Sequence, residues 1–118
     1  MVDRTQSEAP GALMIETEQR DDTYVVRISG ELDLASCAAF DRELRRAEAS
    51  EAGQILVDLD GLVFIDSAGL MTIRQAHRRA ELDPGRLRIT SGTGHVADLF
   101  RLTAFDQSPP FAADGSAS

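Results

Sequence analysis

Ile55-Leu56-Val57-Asp58-Leu59, followed a few residues later by Asp66-Ser67-Ala68-Gly69-Leu70, is the stretch that decides the fold. The first run is nearly continuous in apolar residues, the pattern of a central strand covered on both faces. Asp60 and Gly61 are turn formers that end it, and Leu62 to Ile65 reads as a short linker. From about Ser67 to Ala80, Leu70, Ile73, His77 and Ala80 recur at helical spacing until Asp83, Pro84 and Gly85 stop the helix. A strand feeding a helix through a short connection is half of a crossover between parallel strands.

Working outward, the same alternation continues in both directions. Downstream, Leu87 to Thr90 supplies a strand and Gly94 to Thr103 a last helix, with Val96, Leu99, Phe100 and Thr103 on one side. Upstream, Asp33 is an N-cap candidate for a helix to about Ala47, in which Cys37, Phe40, Leu44 and Ala47 form the apolar stripe. Before it, Leu13 to Glu18 and Thr23 to Ser29 flank the polar turn Gln19 to Asp22 and predict a hairpin, with Tyr24, Val26 and Ile28 alternating as in a half-buried strand. The order β-β-α-β-α-β-α follows: a single α/β domain with a mixed sheet, a leading hairpin and amphipathic helices packed on it. It is expected to span residues 12–106, between a flexible leader at 1–11 and a disordered tail at 107–118 that holds Pro109, Pro110 and Gly115.

Composition narrows the function. The chain has 118 residues, too few for a second independent domain, with 12 basic against 20 acidic residues and a net charge of -8. Such a balance repels nucleic acid and anionic membranes. Every basic residue is arginine, and the absence of lysine excludes Schiff-base chemistry and the P-loop lysine. An Ala- and Arg-rich chain of this kind fits a GC-rich bacterial genome. The single cysteine, Cys37, cannot form an internal disulfide, and its place on an apolar stripe predicts a small buried thiol. With no signal-peptide core and no run of transmembrane length, a cytoplasmic protein is expected.

Phe64 to Leu70 is where chemistry concentrates. A hydroxyl on Ser67, at the entrance to a helix, faces N–H groups without intrahelical acceptors and the positive end of the helix dipole, so a phosphate there would be tolerated. Asp66 and Ser67 also read as ordinary caps. Ala68 and Gly69 have almost no side chain, so a kinase or a flat partner surface could approach closely. In a parallel sheet the loops at one strand edge gather on one face, which adds the segment from Glu31 to Asp33 to this surface. Asp66, Ser67, Ala68, Gly69, Met71 and Arg74, with Glu31 and Asp33, are the expected partner interface.

These residues resemble the STAS-domain proteins of the anti-sigma factor antagonist family, whose core is a buried strand, a short loop and Asp-Ser-(Ser/Ala)-Gly-Leu opening a helix. Gly30-Glu31-Leu32-Asp33, His77-Arg78-Arg79-Ala80 and Leu102-Thr103 with Phe105-Asp106 agree in order and spacing, so the resemblance spans about residues 13 to 106. Ala104 departs from the glycine common in the family's Leu-Thr-Gly ending. The resemblance implies that Ser67 is phosphorylated by an anti-sigma factor that is also a serine kinase, and dephosphorylated by a PP2C-type phosphatase. The unphosphorylated form would bind the anti-sigma factor and free the sigma factor. It implies no enzyme activity, cofactor or metal. STAS domains also serve as subunits of transporters, lipid-trafficking complexes and stress-signalling assemblies, which is the alternative reading.

Other chemistries fare worse. A receiver-type phosphoprotein would use Asp58 or Asp60 with the acidic pair Asp21 and Asp22, but it also needs a strand-end lysine. A hydrolase with Ser67 as nucleophile has no Gly-x-Ser-x-Gly elbow, and His77, ten residues along the same helix, lies about 15 Å away. Neither His77 nor His95 has neighbours at metal-ligand spacing. Gly92-Thr93-Gly94 lacks the lysine of a phosphate loop and reads as a turn before a helix. Arg74, Arg78 and Arg79 suit the negative end of the helix dipole.

Overall fold

Tyr24, Val26 and Ile28 are buried on one face of their strand, while on the other face Val25 is buried and Arg27 and Ser29 are half-buried. The computed structural model describes residues 2–8, 12–90, 92–103 and 111–112. Among these, strands β1 (Val2–Glu8), β2 (Leu13–Arg20), β3 (Thr23–Leu32), β4 (Gln54–Ile65), β5 (Leu87–Thr90) and β6 (Phe111–Ala112) form one sheet in sequence order. Helices α1 (Cys37–Ala49), α2 (Ser67–Ala80) and α3 (Gly94–Thr103) make the crossovers. β1, β2 and β3 pair antiparallel, and β3 through β6 pair parallel. The four inner strands and three helices are the mixed α/β arrangement that the sequence predicts.

Each crossover steps to the next strand in the same direction, and right-handed connections then place all three helices on one face. The paired residues Tyr24, Ile55 and Leu87, and next to them Val26, Val57 and Ile89, point to that face and are buried. They meet Phe40 and Leu44 of α1, Ile73 and Ala76 of α2, and Val96 and Phe100 of α3 in one core. Among the described residues no helix covers the opposite face. There Glu16, Arg27 and Asp58 stand side by side, Arg27 donating to Glu18 at 3.1 Å and to Asp58 at 3.3 Å. The bond to Glu18 raises the guanidinium's pKa further. The continuous apolar run in β4 is therefore half-covered, with Ile55, Val57 and Leu59 buried and Leu56 and Asp58 on the open side.

Four features differ from those read in the sequence. Residues 2–8, expected as a flexible leader, form β1, because an edge strand takes its hydrogen bonds from β2 and needs no apolar face of its own. Asp60 and Gly61 do not end β4. The register shifts beside them, bulges absorb the turn-forming residues, and the strand continues to Ile65 with Leu62 and Ile65 buried. Asp33 does not cap α1. It caps a preceding turn, its carboxylate accepting from the Ser36 N–H at 3.2 Å, and Ser36 occupies the N-cap position. In the segment expected to be a disordered tail, Phe111 and Ala112 pair with β5. Ala104 and the rest of residues 107–118 lie outside the described residues.

The C-terminus of α1 is held by one side chain from a distant loop. Arg86 donates to the carbonyls of Glu48, Ser50 and Ala52 at 3.0, 2.9 and 2.9 Å, satisfying helix-end acceptors and placing a cation at the negative end of the dipole. Replacing Arg86 by Ala should lower unfolding free energy by about 2 kcal/mol, the scale of a lost set of charge-assisted hydrogen bonds in a half-buried site. Arg86→Lys should recover less than half of that loss, since an ammonium cannot fork across separated carbonyls. Urea melts of the three proteins decide it: equal midpoints would show that water replaces the clasp.

Candidate functional site

The site is built where the C-terminal ends of β3 and β4 meet the N-terminus of α2. Glu31 pairs with Phe64 and Leu32 with Ile65, so the segment leaving β3 runs beside the one leaving β4. The Asp66 N–H donates to the Leu32 carbonyl at 3.1 Å, seating the start of α2 on the end of β3.

Asp66 is the N-cap. One carboxylate oxygen accepts from the Gly69 N–H at 2.9 Å, and the other accepts from the Leu34 N–H at 3.2 Å. Ser67 is therefore the first helical residue and not the cap. It is exposed, and among the described residues its hydroxyl has no hydrogen-bond partner. The carboxylate before it and the N–H groups of the first helical turn flank a solvent-exposed hydroxyl.

Gly69 is placed differently from the sequence expectation. It is buried beneath the first turn of α2, where a Cβ would lie 2.8 Å from the Leu32 carbonyl oxygen and 2.9 Å from side-chain carbons of Leu32 and Ile65. Its small size serves the contact between helix and sheet and not an approaching partner. Ala68 is half-buried, while Met71 and Arg74 are exposed at one and two turns beyond Ser67, on the same side of the helix. Glu31 is exposed and Asp33 half-buried in the adjoining loop. The structure thus brings Ser67, Met71, Arg74, Glu31 and Asp33 to one end of the sheet and withdraws Gly69 into the core.

Apart from Met71, which is 54 % exposed, sequence reasoning did not assign the apolar residues of this region to the surface: Leu34 is 78 % exposed, Val63 67 % and Phe64 42 %. Leu34 is tied to Asp66, Val63 and Phe64 lie in the end of β4 with the buried Ile65 between them and Asp66, and Met71 lies one turn along α2. His95, in the first turn of α3, stacks on Phe64 with ring centroids 5.7 Å apart and planes at 15°. Val63-Phe64 was legible only as a linker, because adjacent apolar residues after an Asp-Gly turn carry no periodicity.

The competing chemistries lose their geometry. Asp21 and Asp22 occupy the turn at the start of β3, where Asp22 accepts from the Gly53 N–H at 2.9 Å. Asp58 lies further along β4, engaged by Arg27 and by the Asp60 N–H, so a receiver-type acidic cluster is not assembled. Ser67 and His77 lie at opposite ends of α2. Cys37 is half-buried at the start of α1, and burial pushes its thiol above the usual range. A packing role fits that environment. No helix among the described residues is long and apolar enough to cross a membrane.

Comparison with known proteins agrees with this architecture. The sequence profile of the STAS domain matches residues 14–115. An anti-sigma factor antagonist from Mycobacterium paratuberculosis superposes with a TM-score of 0.76 at 21 % identity, over 93 % of this chain and 92 % of that one. The anti-sigma factor antagonist SpoIIAA in its unphosphorylated form gives 0.63 at 21 % identity, over 86 % and 89 %. The Bacillus cell fate determinant SpoIIAA in its phosphorylated form also gives 0.63 at 21 % identity, over 84 % and 91 %.

Proposed function

The chain belongs to the STAS-domain family, and on that footing we propose that it is an anti-sigma factor antagonist switched by phosphorylation of Ser67. The unmodified form binds an anti-sigma factor that is also a serine kinase and so frees the sigma factor. Phosphorylation ends the binding, and a PP2C-type phosphatase restores it. The cycle takes place in the cytoplasm, and the chain itself acts by binding and not by catalysis.

One observation carries this reading: an exposed serine hydroxyl at the first position of α2, without a hydrogen-bond partner among the described residues, at the end of the sheet where Leu34, Phe64 and Met71 are also exposed. Apolar and aromatic side chains gathered in this way suit the centre of a protein interface, with a polar rim around them. Glu31 and Asp33 lie on the same edge of a chain with net charge -8, so the complementary partner surface is apolar at its centre and basic at its rim. The equal similarity of the fold to SpoIIAA in unphosphorylated and phosphorylated forms supports a switch that leaves the domain intact.

The test is co-purification followed by mass spectrometry and a kinase assay with ATP. Wild-type chain should retain an anti-sigma factor kinase and receive phosphate on Ser67. Ser67→Ala should keep its cooperative unfolding, lose less than about 1 kcal/mol because Asp66 supplies the cap, and remain bound after ATP is added. Phosphate incorporated into Ser67→Ala, or failure of that variant to fold, would overturn the assignment.

A further inference from the structure

Leu34 is the most exposed of the apolar residues at this site, yet its backbone is tied down: its N–H donates to one oxygen of the Asp66 carboxylate at 3.2 Å. The other oxygen caps α2 through the Gly69 N–H at 2.9 Å. A single side chain therefore clamps the loop between β3 and α1 to the helix that carries Ser67. From this juxtaposition we propose that Leu34 is an apolar anchor for the anti-sigma factor and that Asp66 is the positioning residue that presents it. The inference rests on the functional reading above and names the residues through which that reading acts.

The chemistry favours a held loop. An exposed leucine gains from burial only the fraction of binding energy left after its loop has been ordered, and a loop already fixed in place avoids that cost. The fixed point must also lie at a constant distance from Ser67, since kinase docking and hydroxyl modification use the same face. Asp66 meets both needs because its two acceptors serve one loop amide and one helix amide. The clamp is anchored again by the Asp66 N–H on the Leu32 carbonyl, two residues before Leu34. Its neighbour Asp33 is already bonded to Ser36 and so is turned away from this role.

Asparagine separates the two functions of Asp66. Its carbonyl oxygen can still cap α2, a position asparagine fills as well as aspartate. Its amide nitrogen is a donor and cannot accept from Leu34. In free Asp66→Asn, the NMR order parameter of the Leu34 amide should fall from about 0.85 to about 0.6 or below, while that of Gly69 stays near its original value. An unchanged Leu34 overturns the clamp whatever partner the chain has.

The second arm is a double-mutant cycle measured by calorimetry against the anti-sigma factor kinase that co-purifies with the wild-type chain. Leu34→Ala should weaken binding by about tenfold or more, the effect of truncating an anchor. Asp66→Asn should weaken it by about fivefold alone, and by less than about twofold once Leu34 is Ala. Full additivity would mean that Asp66 touches the partner itself, and an unaffected affinity in Leu34→Ala would remove the anchor; either overturns the proposal. If no anti-sigma factor binds any form of the chain, the functional reading fails and the anchor fails with it, while the order parameters still report the clamp on its own.

Discussion

Phosphorylation of Ser67 is expected to weaken binding to the anti-sigma factor more than a hundredfold while the free domain keeps its fold. The added group carries about 1.5 to 2 negative charges at neutral pH. On the folded side those charges meet the N-terminus of α2, where the first-turn N–H groups that Asp66 leaves open can face the phosphate. Ser67 is exposed and makes no internal hydrogen bond among the described residues, so nothing in the core has to move. At the interface the balance reverses. The phosphate must shed its water against the apolar centre of the partner surface, and a desolvated charge left without a partner there costs about 3 kcal/mol or more. That alone exceeds a factor of a hundred. Ser67→Asp should weaken binding in the same direction but less, having one charge and a shorter reach. Calorimetry on the phosphorylated and unmodified forms, with a backbone NMR spectrum of each alone, measures both halves. Equal affinities would remove the switch, and shift changes spread far from α2 would contradict a fixed fold.

Gly30→Ala should be strongly destabilising, lowering unfolding free energy by about 3 to 5 kcal/mol. Gly30 has φ of +92°, and a Cβ there would lie 2.0 Å from the carbonyl oxygen of Ala12. The left-handed backbone alone costs an alanine about 1 to 2 kcal/mol. The clash adds more, because the atom in the way is backbone whose carbonyl accepts from the Glu31 N–H at 3.2 Å. Relief requires opening the end of the β2–β3 hairpin. The same bend is what lets Glu31 and Leu32 stay beside Phe64 and Ile65 after the register shift, so it also aims the loop bearing Leu34 at α2. For a domain of this size the expected loss approaches its whole reserve. Urea denaturation should show a large drop in midpoint or no folded baseline at all. A change below about 1 kcal/mol would mean that the hairpin end realigns freely, and that the positive φ is not needed.

The elements legible in the sequence are those whose limits are set by neighbours in the chain. α2 starts after Asp66 and stops before Asp83-Pro84-Gly85, and α3 starts at Gly94, because caps and breakers act within one helical turn. The same locality makes Ser67 legible in the sequence as a helix-entrance hydroxyl. β1 was not legible, since Val2–Glu8 alternates no apolar residues and becomes a strand only when β2 offers its edge. Nor was the extension of β4, where Asp60-Gly61 has the local character of a turn and only the burial of Leu62 and Ile65 against the helices keeps the strand going.

At the site, the residue types and their spacing determined which hydroxyl is presented and on what kind of helix end. Tertiary structure decided that Gly69 packs inward on Leu32 and Ile65, that Asp66 reaches across to Leu34, and that His95 covers one face of Phe64. Each of these is a contact between residues brought together by chain reversal. Their energies depend on distances of a few ångströms between segments about 30 residues apart, and periodicity along one segment carries no information about such distances.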